Sequence, residues 1–212
     1  YSPAWSPDGS KIAYSVQLDH SYQKIYVQSV NGGAATMITP YAGSNLSPSF
    51  SPDGSKILFS GSTDIYEINA CGGNLKKIID WSSDEAQPSY APDGKSFVFV
   101  SNKAKFNTPE IYRYEFDSER ISKVSQGGYA STPTFNNDGS QIGFLHGSSA
   151  AIMDNTGKIV ANLGKTGIDE GVSFSPNGKR VVYAAKQGNT GIIVIKSLNG
   201  GESFGKASQG VI

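Results

Sequence analysis

The sequence predicts an all-β fold, a β-propeller of four-stranded antiparallel blades with five repeats in this chain. Three observations predict it: a proline, an aromatic residue and an Asp-Gly or Asn-Gly turn recur together five times, the recurrence has the period of a blade, and the composition suits short strands and tight turns. The motif is first read as Ser2-Pro3-Ala4-Trp5-Ser6-Pro7-Asp8-Gly9-Ser10-Lys11-Ile12-Ala13-Tyr14. It returns from Ser47 and from Gln87, with looser copies from Thr132 and from Gly171. Between the Asp or Asn before each glycine, at positions 8, 53, 93, 138 and 177, the spacings are 45, 40, 45 and 39 residues, the length of one propeller blade. The 25 glycines and 11% aromatic residues fit, since glycine supplies positive φ in turns and aromatic rings fill a pleated surface.

Each repeat reads as four strands. In the first, residues 3–6 form a short strand, Ser6-Pro7-Asp8-Gly9 a turn, and residues 11–16 a second strand. Proline presets φ, aspartate hydrogen-bonds back to the backbone, and glycine takes the left-handed conformation. Residues 24–30 are a third strand, Asn31-Gly32-Gly33 a hairpin turn, and residues 35–39 the fourth strand. The second repeat has strands at 57–60, 65–68 and 75–79, and the third at 96–101 and 110–116, joined by a longer loop at 102–109. The fourth has strands at 141–145, 151–154 and 159–163, and the fifth at 180–185, 191–197 and 203–208. Apolar residues nowhere keep helical spacing for more than a turn or two, so almost no helix is expected. The blades divide at about 1–43, 44–84, 85–128, 129–168 and 169–212.

Such units stand radially with the first strand innermost and the fourth at the rim. Trp5, Phe50, Tyr90, Phe135 and Phe174 are expected to wedge between adjacent blades as core. The segments leading into each inner strand, 41–47, 84–87, 127–132 and 168–171 with Tyr1 and Ser2, then surround one mouth of the channel. Binding is expected there, because loops on a rigid scaffold carry function.

Eighteen basic and 18 acidic residues balance, which argues against nucleic acid or an anionic membrane as partner. The lone cysteine, Cys71, allows no internal disulfide and reads as a packing residue. Nothing approaches the roughly 18 apolar residues of a spanning helix, so the chain reads as soluble, with no direct membrane insertion. Tyr1 directly precedes a repeat with no signal peptide, and the chain reads as a piece of something longer.

The run Ser-Pro-Ala-Trp-Ser-Pro-Asp-Gly-Ser-Lys-Ile-Ala-Tyr, followed by Ile25-Tyr26-Val27 and a glycine-rich turn, resembles the repeat of the TolB family of the Tol-Pal system of Gram-negative bacteria. The resemblance covers the whole chain. It implies a periplasmic, non-enzymatic binding module: a six-bladed propeller that receives Pal, the peptidoglycan-associated lipoprotein, at the channel mouth, where a colicin-type peptide also binds. It further implies a small α/β domain that engages TolA, which this chain lacks along with one blade. The family's Asp-Glu before the inner strand of the last blade matches Asp169-Glu170. The chain departs from the family at Ser44, where the resemblance implies a histidine, and at Gln87, where it implies an acidic residue. Similar repeats occur in prolyl-oligopeptidase-like serine peptidases, so the alternative is a propeller gating substrate for a modular hydrolase. They also occur in pectate-degrading lyases, but a lyase would need clustered His, Arg or metal-ligating carboxylates, which the mouth segments lack.

The expected partner-binding set at the mouth is Ser44, Asn45, Ser47, Asp84, Glu85, Gln87, Ser131, Thr132, Asp169 and Glu170. No catalytic residue and no cofactor are expected. Asp169 and Glu170 are the only candidates for a calcium ion in the channel, through oxygen ligands. Gly201-Glu202-Ser203-Phe204-Gly205 has nucleophile-elbow spacing but follows a hairpin turn and opens no helix, so Ser203 reads as a rim-strand residue. His20 and His146 lie in loops without ligands at zinc spacing. The Asp of each Asp-Gly reads as turn chemistry rather than calcium binding. Tyr41, Phe106 and Tyr129 sit in or beside mouth-side loops, where exposed aromatic rings anchor partners or pack between loops.

Overall fold

The computed structural model describes residues 2–18, 22–39, 43–166, 171–187, 190–198 and 204–207. Every regular element among them is a strand. The first blade holds β1 (Ala4–Trp5), β2 (Lys11–Leu18), β3 (Tyr22–Ser29) and β4 (Thr36–Met37), and the second β5 (Asn45–Phe50), β6 (Lys56–Gly61), β7 (Asp64–Asn69) and β8 (Lys76–Ile79). The third holds β9 (Glu85–Tyr90), β10 (Ser96–Ser101), β11 (Glu110–Glu115) and β12 (Arg120–Lys123). The fourth holds β13 (Ala130–Phe135), β14 (Gln141–His146), β15 (Ser149–Asp154) and β16 (Ile159–Lys165), and the fifth β17 (Ser173–Phe174), β18 (Arg180–Gln187), β19 (Thr190–Ser197) and β20 (Phe204–Ala207). Each set is an antiparallel meander in chain order, and the five stand in a ring as propeller blades.

The turn between the first two strands of a blade is built by its own side chains. Ser6 Oγ accepts from the Lys11 N–H at 2.8 Å and donates to Asp8 Oδ1 at 2.6 Å, while the Ser10 N–H donates to Asp8 Oδ1 at 3.0 Å. Gly9, at φ 69°, closes the loop with its N–H on Ser6 O. Ser51, Asp53 and Ser55 repeat this network. In the fourth blade Asn136 takes the serine's place, its Oδ1 accepting from the Gln141 N–H at 3.0 Å. These Asp carboxylates are thus committed to backbone and hydroxyl groups of their own turns.

The core lies between blades. Four hydrophobic clusters fill the four seams between consecutive blades, the first around Ile25, Phe50 and Ile57 and the last around Leu145, Ile152 and Val181. Neighbouring turns also interlock. A Cβ at Gly54 would lie 3.5 Å from Pro7, one at Gly94 3.6 Å from Pro52, and one at Gly139 3.4 Å from Pro92. Asn137 stands in the proline's place in the fourth copy and donates Nδ2 to Pro176 O at 2.6 Å.

The expected wedges divide by seam. Phe50 and Tyr90 are buried, Phe135 and Phe174 half-buried, and Trp5 is 62% exposed. Trp5 corrects the expectation for a physical reason: a wedge needs a blade on each side. A Cβ at Gly9 would meet no atom of the described residues within 4 Å, so Pro176 does not abut it as the other prolines abut their glycines. On the fifth blade Ile193 is 49% exposed, whereas Ile25, Ile65, Ile111 and Ala150, at the same register in the other blades, are fully buried. Fully burying an isoleucine contributes about 1.5–3 kcal/mol, so the first four seams hold the array together, and among the described residues the fifth-to-first seam lacks these contacts.

Candidate functional site: the channel mouth

The five inner strands converge on a central cavity of about 420 Å³, lined by Ser2-Pro3, Ser47-Pro48, Gln87-Pro88, Thr132-Pro133-Thr134 and Gly171-Val172-Ser173. The same two or three positions of every repeat therefore make the wall. In four repeats the residue before the proline is left-handed: Ser2 at φ 47° and Ser47, Gln87 and Thr132 each at 52°. Proline disfavours the right-handed helical region for its predecessor and offers no N–H to the ladder. The strand answers with a bulge. Register breaks between Leu46 and Ser49, between Val98 and Val100 opposite Gln87-Pro88, and between Ser131 and Thr134. Left-handed backbone at a non-glycine residue costs about 1 kcal/mol or more, and such strain clusters at working sites.

The fifth copy has Gly171-Val172 in place of the proline step. A Cβ at Gly171 would lie 2.8 Å from both Thr132 O and Thr132 Oγ1, so close approach of two channel segments requires glycine there. Thr132 Oγ1 is buried without a hydrogen-bond partner among the described residues, and the Thr132 N–H donates to Gln87 Oε1 at 2.8 Å, tying the third blade to the fourth across the wall.

The sequence-expected residues fall into three groups. Ser47, Gln87 and Thr132 line the channel itself. Ser44 is half-buried and Asp84 exposed at the mouth, with Asp84 Oδ2 accepting from Asn102 Nδ2 at 2.8 Å. Asn45, Glu85 and Ser131 are buried inside the wall. Asn45 Nδ2 donates to Gln23 O and Gly43 O, closing the first seam. Glu85 Oε1 accepts from Ser83 Oγ at 2.6 Å and Ser101 Oγ at 2.8 Å while Oε2 has no partner among the described residues; burial, with the Asp64 charge adding, pushes its carboxyl above the usual range. Asp169, Glu170, His20, Tyr41 and Ser203 lie outside the described residues. Among the described residues no three His, Cys, Asp or Glu side chains converge as a metal site, His146 packs its ring against Phe144, and Cys71 is exposed. Sequence reasoning placed function upstream of each proline and so missed the prolines themselves as channel wall. A proline inside an otherwise regular strand was the available signal, because it marks a bulge.

A ring of radial four-stranded sheets with its candidate site at one channel mouth defines the chain as a β-propeller protein. The family model described as the TolB beta propeller domain matches residues 1–207, and the chain belongs to that family. It is 38% identical over 207 residues to the Tol-Pal system protein TolB of Xylella fastidiosa strain M12, covering 93% of this chain and 47% of the relative. The crystal structure of TolB from Acinetobacter baumannii superposes with a TM-score of 0.87 at 37% identity, covering 99% of this chain and 54% of that one. This chain thus spans about half the length of these relatives. A prolyl endopeptidase structure matches with a TM-score of 0.66 at 11% identity, covering 97% of this chain and 34% of that one, a likeness of fold alone. No helix among the described residues is long and apolar enough to cross a membrane.

Proposed function

We propose that this TolB-type propeller is a periplasmic, non-enzymatic recognition module of the Tol-Pal system that takes a segment of a Pal-like lipoprotein at the channel mouth, where a colicin-type peptide competes. The observation that carries the reading is the wall of strained, uncharged steps at Ser2, Ser47, Gln87 and Thr132 around an open cavity. These groups offer hydrogen bonds and shape to a polypeptide but no nucleophile beside a base. Ser44, Ser47, Asp84, Gln87 and Thr132 meet the partner directly, and Asp169 and Glu170 belong to the same partner-binding set. Asn45, Glu85 and Ser131 act from within the wall, Asn45 by holding the Gln23 and Gly43 carbonyls and Glu85 by holding the Ser83 and Ser101 hydroxyls. The recognition uses no cofactor and no metal.

Calorimetric titration of the protein with the soluble domain of the Pal-like lipoprotein from the same organism tests it. Saturable binding, weakened several-fold by Gln87→Ala, is expected. No binding, under conditions where an established pair binds, sinks the reading.

A further inference from the structure

The channel leaves unexplained the most exposed large apolar side chain among the described residues, Phe106, at 77% exposure. It sits at the tip of the 102–109 connection between β10 and β11, on the mouth side. The Thr108 N–H donates to Lys105 O at 3.1 Å, which makes Phe106 and Asn107 the central residues of a β-turn, and Asn107 is left-handed at φ 59°. Asparagine tolerates that conformation and favours such turns, so the local sequence fixes the ring at a corner.

Both ends of the connection are tied to mouth segments. Asn102 and Asp84 exchange three hydrogen bonds: Asp84 N–H to Asn102 Oδ1 at 3.0 Å, Asn102 Nδ2 to Asp84 Oδ2 at 2.8 Å, and Asn102 N–H to Asp84 O at 3.3 Å. At the other end the Ala130 N–H donates to Pro109 O at 2.8 Å, next to Tyr129, which is 45% exposed. Lys103 Nζ lies 3.4 Å from the Trp81 ring centroid, a cation–π contact that pins the near side. A turn held this way needs little further ordering on association, and preorganisation of that kind favours affinity.

The charge around the ring selects a partner. Lys105 is exposed and has no carboxylate partner among the described residues, and Lys103 has only the Trp81 face. Of the described carboxylates on this side, Asp64 and Asp80 share Lys77, Glu110 pairs with Lys123, and Asp84 keeps its charge while Asn102 fixes it in place, leaving two lysines against one unpaired carboxylate around the turn. The connection therefore presents an exposed aromatic ring with two lysines, Lys103 and Lys105, within three residues of it in sequence.

We propose that this turn is a second contact element of the mouth face, seating an acidic peptide segment whose apolar side chain covers Phe106 while its carboxylates pair with Lys105 and Lys103. The proposal rests on the reading of the mouth face as a protein-binding surface and names the chemistry of the partner there. Aromatic residues are enriched among the side chains that dominate interfaces, and a ring standing in water gains most when covered.

Selection of a random peptide display library on the immobilised chain tests it. The enriched peptides are expected to carry two or more acidic residues beside an apolar one. Their affinity should fall about tenfold in Phe106→Ser and about threefold or more in Lys105→Glu, with thermal melts unchanged because both side chains stand in solvent. Failure to enrich any peptide, a consensus without acidic residues, or affinity within twofold of the parent in Phe106→Ser overturns the proposal. So does co-sedimentation with phosphatidylglycerol vesicles that Phe106→Ser abolishes, which would assign the turn to a membrane surface. The lipoprotein titration separates the two readings. Lipoprotein binding that Gln87→Ala weakens and Phe106→Ser leaves alone keeps the channel and removes the turn, whereas acidic peptides that need Phe106, with no lipoprotein binding, keep the turn and remove the named partner.

Discussion

The Tyr90 hydroxyl donates to Glu67 Oε1 at 2.6 Å across the seam between the second and third blades. Glu67 is buried, and Lys56 Nζ reaches its other oxygen at 2.7 Å. At the matching positions of the neighbouring seams stand Val27 with Phe50, Arg113 with Phe135, and Ile152 with Phe174, so this seam alone pairs a buried carboxylate with a phenol. Burial, then the carboxylate, push the phenol's pKa up, which keeps the proton on the tyrosine. Tyr90→Phe keeps the ring and removes the donor. The expected loss is about 1–3 kcal/mol in urea unfolding, the cost of leaving a buried acceptor short of a partner.

Trp5 and Phe50 occupy one repeat position with opposite burial, 62% against 8% exposed. Phe50→Ala opens a void in the first seam and should cost about 3–5 kcal/mol. Trp5→Ala removes a larger ring from solvent and should change stability by less than about 1 kcal/mol. Denaturant midpoints of the two variants check this, and equal losses would mean that Trp5 is covered in solution.

A Cβ at Gly157 would fall inside contact distance of Val124 O, and the residue is left-handed at φ 84°. The hairpin of the fourth blade thus presses directly on the rim of the third. Gly157→Ala should lower the melting temperature far more than Gly9→Ala, whose φ of 69° is similar but whose Cβ would meet nothing among the described residues. The left-handed conformation alone costs a non-glycine residue about 1–2 kcal/mol, and the excess in Gly157→Ala measures the seam.

The scaffold was legible because its instructions are local. Ser6, Pro7, Asp8 and Gly9 carry their turn within four residues, and five copies at blade spacing announce the ring. The location of the mouth followed from strand order. Which mouth residues face the channel did not, since a bulge resets the alternation along β5, β9 and β13, leaving Gln87 in the channel wall and Glu85 buried. The exposure of Trp5 and the Tyr90–Glu67 bond were equally hidden. Each depends on a blade remote in sequence, and no local pattern encodes the neighbour.

Acid should act through two sets of carboxyls with opposite sign. In the first set, the Ser6 hydroxyl foremost and then the Ser10 backbone hold Asp8 at about 2, against an ordinary 3.8, and Ser51 foremost does the same for Asp53. Between those values the unfolded chain binds more protons than the folded one, so the turns' contribution is full above about pH 4 and is lost as pH falls through about 2. Glu85 is shifted the other way by burial. Its ionised form is disfavoured in the folded protein, a cost that is present at neutral pH and disappears in acid. A variant with Asp8→Ala and Asp53→Ala should therefore melt below the parent at pH 7, with the gap closing between about pH 4 and pH 2. Glu85→Gln keeps an oxygen for Ser83 and Ser101 to donate to, removes the charge, and should melt above the parent at pH 7 with the advantage fading as pH falls. Melting temperatures of the three proteins across that range decide the matter, and a Glu85→Gln variant less stable than the parent at neutral pH would show that the carboxylate is stabilised within the wall.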